Sequence, residues 1–181
     1  MKLRLPILFL ALLLAFSMFA ADAPTEPTVP TEGAKAPSFT LPGQDGSPVS
    51  LGQFKGKWVV LYFYPKDFTS GCTLEAHNFQ RDIAKYEAKN AAVVGVSLDS
   101  ADSHKQFCTK EGLSFKLLSD SSKTVATQYG SVMNYQGNEY AARNTFLIDP
   151  NGVIRKVYLK VKPATHSDDV LADIATLQAS K

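Results

Sequence analysis

The chain has 181 residues, 45% of them hydrophobic and 20% charged, which is a globular mixture of single-domain size and excludes a disordered or fibrous chain. Lys2 and Arg4 fall in an N-terminal segment that reads as a leader. Without them 17 basic residues face 17 acidic ones, so charge gives no reason to expect nucleic acid as a partner.

In chain order, a basic start is followed by an apolar run from Leu5 to Phe16 and small residues at Ala20, Ala21 and Ala23. This pattern reads as a secretory signal peptide over residues 1–20, with export as the expected destination. The competing reading is an uncleaved membrane anchor, against which the marginal length and Pro6 both speak. Residues 21–35 are rich in Pro, Thr, Glu and Ala without an apolar period and read as a flexible linker. A folded domain is expected over 36–181.

Within it, Trp58 to Tyr64 is continuously apolar and reads as a strand buried on both faces, ended by Pro65. Thr73 to Lys89 carries Leu74, Phe79, Ile83 and Tyr86 at helical spacing. A strand over 92–98, a helix over 102–111 stopped by Gly112, a short strand over 115–118 and a helix over 122–129 stopped by Gly130 follow. Strands over 145–148 and 153–159 flank Asp149-Pro-Asn-Gly152 and should form a hairpin. Ser167 or Asp168 should cap a last helix that runs to about Gln178. Together these describe an α/β protein with a mixed central sheet flanked by helices.

The chain has two cysteines, Cys72 and Cys108, and no Cys-x-x-Cys, which argues against a disulfide scaffold, a zinc ribbon and a thioredoxin-type dithiol. Cys72 follows a buried strand, a Pro-containing loop and Gly71, and starts a predicted helix. The unpaired N–H groups and partial positive charge of a helix N-terminus favour a thiolate, the nucleophilic form. The plainer reading is a buried, inert cysteine. Thr69 precedes Cys72 by three residues and is read either as a turn residue or as a donor to a bound substrate. Arg143, entering a buried strand, is read either as a surface ion-pair residue or as a fork of donors for an anion. His77, His104 and His166 are dispersed and read as helix-surface or capping residues, and Asp99 and Asp102 as helix caps.

The segment Tyr62-Phe-Tyr-Pro-Lys-Asp-Phe-Thr-Ser-Gly-Cys-Thr-Leu-Glu75 resembles the active-site segment of peroxiredoxins, in particular the bacterioferritin-comigratory or peroxiredoxin Q subfamily. The Pro-x-x-x-Thr-x-x-Cys signature matches at Pro65, Thr69 and Cys72. Ala36 to Leu41, Phe54 to Lys57 and Arg143 to Asp149 resemble other family segments in the same order. The resemblance implies a thioredoxin fold with an N-terminal extension and a peroxidase acting on hydrogen peroxide and organic hydroperoxides. Cys72 would attack the peroxide, with Thr69, Arg143, Pro65 and Glu75 shaping its pocket. It also implies no metal or other cofactor, a thioredoxin-like reductant, a monomer and a bacterial periplasm.

Two positions depart from the family. Ser70 stands where Pro is common, and His77 stands where many members carry a resolving cysteine. Cys108 is then the remaining candidate for a disulfide with Cys72, in a role that some members give to this helix. A one-cysteine enzyme resolved by an external thiol, an exported thioredoxin-like thiol–disulfide protein and a copper-binding module are the alternatives.

Overall fold

The computed structural model describes residues 28–180. The expected leader (1–20) and residues 21–27 of the expected linker lie outside the described residues. The centre is a five-stranded sheet built on β3 (Trp58–Phe63), all six residues of which are buried. β4 (Ala91–Ser97) pairs parallel to β3 and β5 (Lys116–Ser119) parallel to β4. β8 (Thr145–Ile148) runs antiparallel on the other side of β3, and β9 (Ile154–Tyr158) returns beside β8 through the Asp149–Gly152 turn. Two short hairpins lie outside this sheet, β1–β2 (Thr40–Pro42 and Pro48–Ser50) and β6–β7 (Val132–Tyr135 and Asn138–Ala141).

The period-two alternation of β3 divides the core into two layers. Trp58, Val60 and Tyr62 face α1 (Ser70–Arg81), α2 (Ile83–Ala88), α3 (Ala101–Glu111) and α5 (His166–Ala179) through Phe79, Tyr86, Phe107 and Ile174. Val59, Leu61 and Phe63 face α4 (Thr124–Gln128) and the first hairpin through Val125, Tyr129, Leu41 and Val49. Burying β-branched and aromatic side chains on both faces of one strand fixes that strand as the centre of the domain.

The structure departs from the expected elements in several places. The single helix expected over 73–89 is two helices that meet at Asp82. The Asp82 carboxylate is buried and accepts hydrogen bonds from Arg81, Lys85 and Ser167, so the junction is stitched to α5. Leu74, expected on the apolar face of that helix, is exposed, and the buried face is Cys72, Glu75, Ala76 and Phe79. The N-cap position of the last helix is Thr165 instead of Ser167 or Asp168; its hydroxyl caps no backbone N–H and donates to the Asp169 carboxylate at 3.1 Å. The cap of α3 is Ser100, whose hydroxyl accepts from the Ser103 N–H at 3.2 Å, not Asp99 or Asp102.

The linker expected to run to residue 35 is packed at its C-terminal end. Gly33 N–H donates to Ile154 O at 2.8 Å and Ile154 N–H donates to Ala34 O at 2.9 Å. Gly130, at φ +55°, lies so close to Val29 that a Cβ would meet its backbone N at 2.7 Å. The composition of this strap suits a coil, but its backbone groups find partners on β9.

Gly95 of β4 allows the Tyr62 ring to lie flat against the sheet: a Cβ there would meet Tyr62 Cζ at 2.7 Å and Leu117 Cδ2 at 2.6 Å. Gly95→Ala should therefore overpack the layer beneath α1 and lose about 1–3 kcal/mol of stability, measured by urea denaturation. An unchanged midpoint would contradict this packing.

Candidate active site

The antiparallel register of β3 and β8 builds the site. Tyr62 faces Thr145, and Phe63 N–H donates to Asn144 O at 2.8 Å, so the end of β3 and the start of β8 lie together. Arg143, two residues before Thr145, is thereby brought beside the loop that leads from β3 into α1. Its carbonyl accepts from Val161 N–H at 3.0 Å, and Asn144 Oδ1 accepts from Lys160 N–H at 3.2 Å, which fixes the backbone around it.

Pro65 sits half-buried at the bend after Tyr64. Thr69 is the residue at the N-cap of α1, in extended backbone; its carbonyl accepts from Thr73 N–H at 2.9 Å and its exposed hydroxyl donates to Lys66 O at 3.0 Å. Cys72 is the third residue of α1 and is buried. Its sulfur therefore lies within the first turn, where the N–H groups lack helical partners.

Arg143 joins two of the expected residues. Its Nη2 lies 3.3 Å from Cys72 Sγ, and its Nη1 is hydrogen-bonded and ion-paired to Glu75 Oε2. Glu75 is 1% exposed and its second oxygen, Oε1, is a buried atom without a partner. Tyr62 Oη is a second such atom. Burial pushes the Tyr62 phenol well up, and the charges of Glu75, Cys72 and Cys108 add to that shift.

Thus Arg143 is in contact with both Cys72 and Glu75, Thr69 and Pro65 lie in the loop that leads to them, and Cys108 lies on a different helix. Cys108 is a free thiol on α3, buried against the same apolar layer. Burial, then the charge of Asp67, pushes its thiol up to about 11. Cys72 is likewise free. His77, five residues after Cys72, is exposed and pairs with Glu111 across α1 and α3 at 2.9 Å.

Other polar groups near the site have a different place from the one their sequence suggests. Asp67 and His104 are both buried and lie 2.8 Å apart, and His166 is buried with Nε2 2.8 Å from Thr145 Oγ1. His104 and His166 are therefore core residues and not the surface or capping residues expected. The available signal for His104 was its spacing of four from Cys108, which puts both on one face of α3.

The AhpC/TSA family model matches residues 33–157. The chain belongs to this family of peroxiredoxins. The chloroplastic peroxiredoxin Q of Sedum lineare is 43% identical over 149 residues, 82% of this chain and 80% of the relative. A solved cysteine-to-serine variant of PrxQ from Xylella fastidiosa superposes with a TM-score of 0.78 at 31% identity, covering 82% of this peroxiredoxin and 97% of that chain. A bacterioferritin comigratory protein of Xanthomonas campestris, solved for insight into its alkyl peroxide reduction activity, gives 0.72 at 34% identity, with coverage of 76% and 90%. The peroxiredoxin has the expected thioredoxin fold with its N-terminal extension, and it is a thiol peroxidase.

Two buried groups beside Arg143 give the peroxiredoxin opposing pH trends. Burial pushes the Glu75 carboxyl from 4.5 up to about 7, against the pull of Arg143. Burial pushes the His166 imidazole from 6.5 down to about 4, with Asp169 opposing and Arg143 adding. A carboxyl that resists ionisation in the folded state lowers stability as pH rises from about 4.5 through 7. An imidazole that resists protonation lowers stability as pH falls from about 6.5 through 4. Glu75→Gln removes the first trend alone. Its urea midpoint should rise more steeply than that of the wild type between pH 4.5 and 7, and equal slopes would show that Glu75 titrates as an ordinary carboxyl.

Proposed function

We propose that Cys72 is the peroxidatic sulfur of this thiol peroxidase and that Arg143, held by Glu75, activates it. The observation that carries the reading is the guanidinium that reaches Cys72 Sγ at 3.3 Å with one nitrogen and Glu75 with another. A donor fixed there strengthens its bond as the sulfur becomes anionic and as negative charge builds on the leaving oxygen. The Cys72 thiolate attacks the nearer peroxide oxygen, the O–O bond breaks, and the leaving oxygen takes a proton. Cys72 becomes a sulfenic acid, and hydrogen peroxide or an organic hydroperoxide becomes water or an alcohol. The solved Xanthomonas relative, described by its alkyl peroxide reduction activity, supports the organic substrates. Thr69 at the mouth of the loop and Pro65 at its bend position the second oxygen and shield the sulfur.

Cys108 then resolves the sulfenic acid as an intramolecular Cys72–Cys108 disulfide, which a thioredoxin-like dithiol reduces. Both sulfurs are unbonded and lie on separate helices, and we read α1, α3 or both as unwinding locally to form a bond that needs Cα atoms within about 7 Å. A second reading is favoured by the burial of Cys108 and its thiol at about 11: an external thiol resolves Cys72 directly. We read the enzyme as a monomer, exported to a bacterial periplasm by its leader.

Peroxide consumption with a dithiol reductant tests the reading. Cys72→Ser should fall to background, and Arg143→Ala should lose roughly 100- to 1000-fold in the rate of peroxide attack. Cys108→Ser should keep the first turnover and stop at a sulfenic acid that dimedone labels. If the wild type stops there too, Cys108 has no resolving role. For export, sequencing of the mature protein from a periplasmic fraction should start near Ala21, and a start at Met1 would contradict cleavage.

A further inference from the structure

The loop between β3 and α1 is tied to α3 by a buried hydrogen-bonded cluster. Asp67 Oδ1 accepts from Tyr64 Oη at 2.7 Å. Its Oδ2 accepts from Ser103 Oγ at 2.7 Å and from His104 Nδ1 at 2.8 Å. The Asp67 N–H donates to Asp99 Oδ2 at 2.9 Å. On the other side of the ring, His104 Nε2 lies 3.1 Å from the Leu118 carbonyl, which can only accept. Burial raises the Asp67 carboxyl, but the hydrogen bonds from His104, Ser103 and Tyr64 outweigh it and leave the group lowered. The two ring nitrogens of His104 thus span from Asp67 to the Leu118 carbonyl. The Asp67 and His104 side chains in this contact are 1% and 0% exposed.

The neighbouring residue grips the same helix. Phe68 stands at φ +61°, a left-handed backbone that costs an aromatic residue energy and persists only where its surroundings impose it. Its ring meets Phe107 edge-on at 5.1 Å, and Lys110 Nζ lies 5.4 Å from the ring centroid. Ser103, His104, Phe107 and Lys110 thus receive two successive loop residues that lie just before the N-cap of α1. Cys108 is one turn beyond His104, and Cys72 is in the first turn of α1.

We propose that Asp67 and His104 are positioning residues, and that their pair, together with strained Phe68, is a latch holding the Cys72 turn of α1 and the Cys108 half of α3 closed as one unit. This rests on the reading of Cys108 as the resolving thiol. In the closed state Cys72 stays against Arg143 and Cys108 stays buried. When the pair parts, Phe68 can relax to an extended backbone, and the loop, the first turn of α1 and the second half of α3 lose their shared anchor. The Cys108 sulfur then attacks the sulfur of the Cys72 sulfenic acid; the S–S bond forms, the S–OH bond breaks, and the hydroxyl leaves with the Cys108 proton as water. Cys108 is oxidised and the sulfenic sulfur is reduced, so no other reactant is needed. The strength of the latch sets the rate of this step and the time Cys72 is open to overoxidation.

Ser103→Ala tests the latch with little risk to folding, because it removes one hydroxyl donor to Asp67 and leaves the Ser100 cap intact. His104→Phe is the stronger variant, but it takes a partner from a buried carboxylate and risks the fold. Reduced full-length protein is given one equivalent of hydrogen peroxide, and the Cys72–Cys108 disulfide is followed by quenching and mass spectrometry. Ser103→Ala should form it about fivefold faster, the equivalent of one hydrogen bond, and should accumulate less sulfinic acid under excess peroxide. A purely structural Ser103 would lower the melting temperature without either change, and an unaltered or slower disulfide rate overturns the latch. Hydrogen exchange on the reduced protein gives a second readout. Amides 72–76 and 105–110 should accelerate together in Ser103→Ala while β3 and β4 do not. Acceleration of one segment alone also overturns the latch. If the wild type makes no Cys72–Cys108 disulfide, the resolving assignment fails, and the exchange result decides the latch by itself.

Discussion

The placement of one guanidinium organises this end of the molecule. Arg143 has to leave water to reach a sulfur in the first turn of α1, and a lone buried cation there is costly. Glu75, one helical turn beyond Cys72, supplies the counter-charge, and the antiparallel pairing of β8 with β3 supplies the position. The arrangement leaves Glu75 near its titration point at neutral pH, because burial and the attraction to Arg143 pull in opposite directions. Neither half of the contact is local in sequence: 71 residues separate Arg143 from Cys72. The central sheet is what makes the two meet.

The proposed cycle makes two demands on one buried layer. Cys72 and Cys108 are both buried free thiols on separate helices, and the proposal asks peroxide attack of the first and resolution of the second. The molecule divides its stability accordingly. β3 and β4 are buried on both faces, while the loop over 64–69 depends on a few polar contacts and one strained residue. Such regions open at lower free energy than the sheet that supports them.

Features that rest on local apolar pattern were legible in the sequence. Trp58 to Phe63 reads as a doubly buried strand because nothing polar interrupts it, and Gly112 ends α3 in the left-handed backbone expected of it. Asp149 to Gly152 turns the chain between β8 and β9 as its residues dictate. The α/β character and the position of Cys72 at a helix start followed from these. Features that rest on distant partners were not legible. The break at Asp82 depends on Ser167 of α5, so residues 73–89 read as one helix. β6 and β7 are largely exposed and turn on Gln136 and Gly137, both at positive φ, which leaves no alternating apolar signal. His104 looks like any polar residue of a helix until Asp67 and the Leu118 carbonyl are placed beside it. Arg143 and Glu75 were marked as candidates, but only the sheet register shows that they touch.

The strap formed by residues 32–36 has a further effect on how copies of the molecule meet. β9 is the outermost strand of the central sheet, and its free rim of N–H and C=O groups is a template on which another chain can assemble. Gly33, Ala34 and the Glu32 carboxylate occupy part of that rim, at Ile154 and at the Val157 N–H. The short stretch Glu32-Gly-Ala-Lys-Ala36 thereby covers part of the edge against edge-to-edge pairing, and trimming the chain back to Ala36 would uncover it.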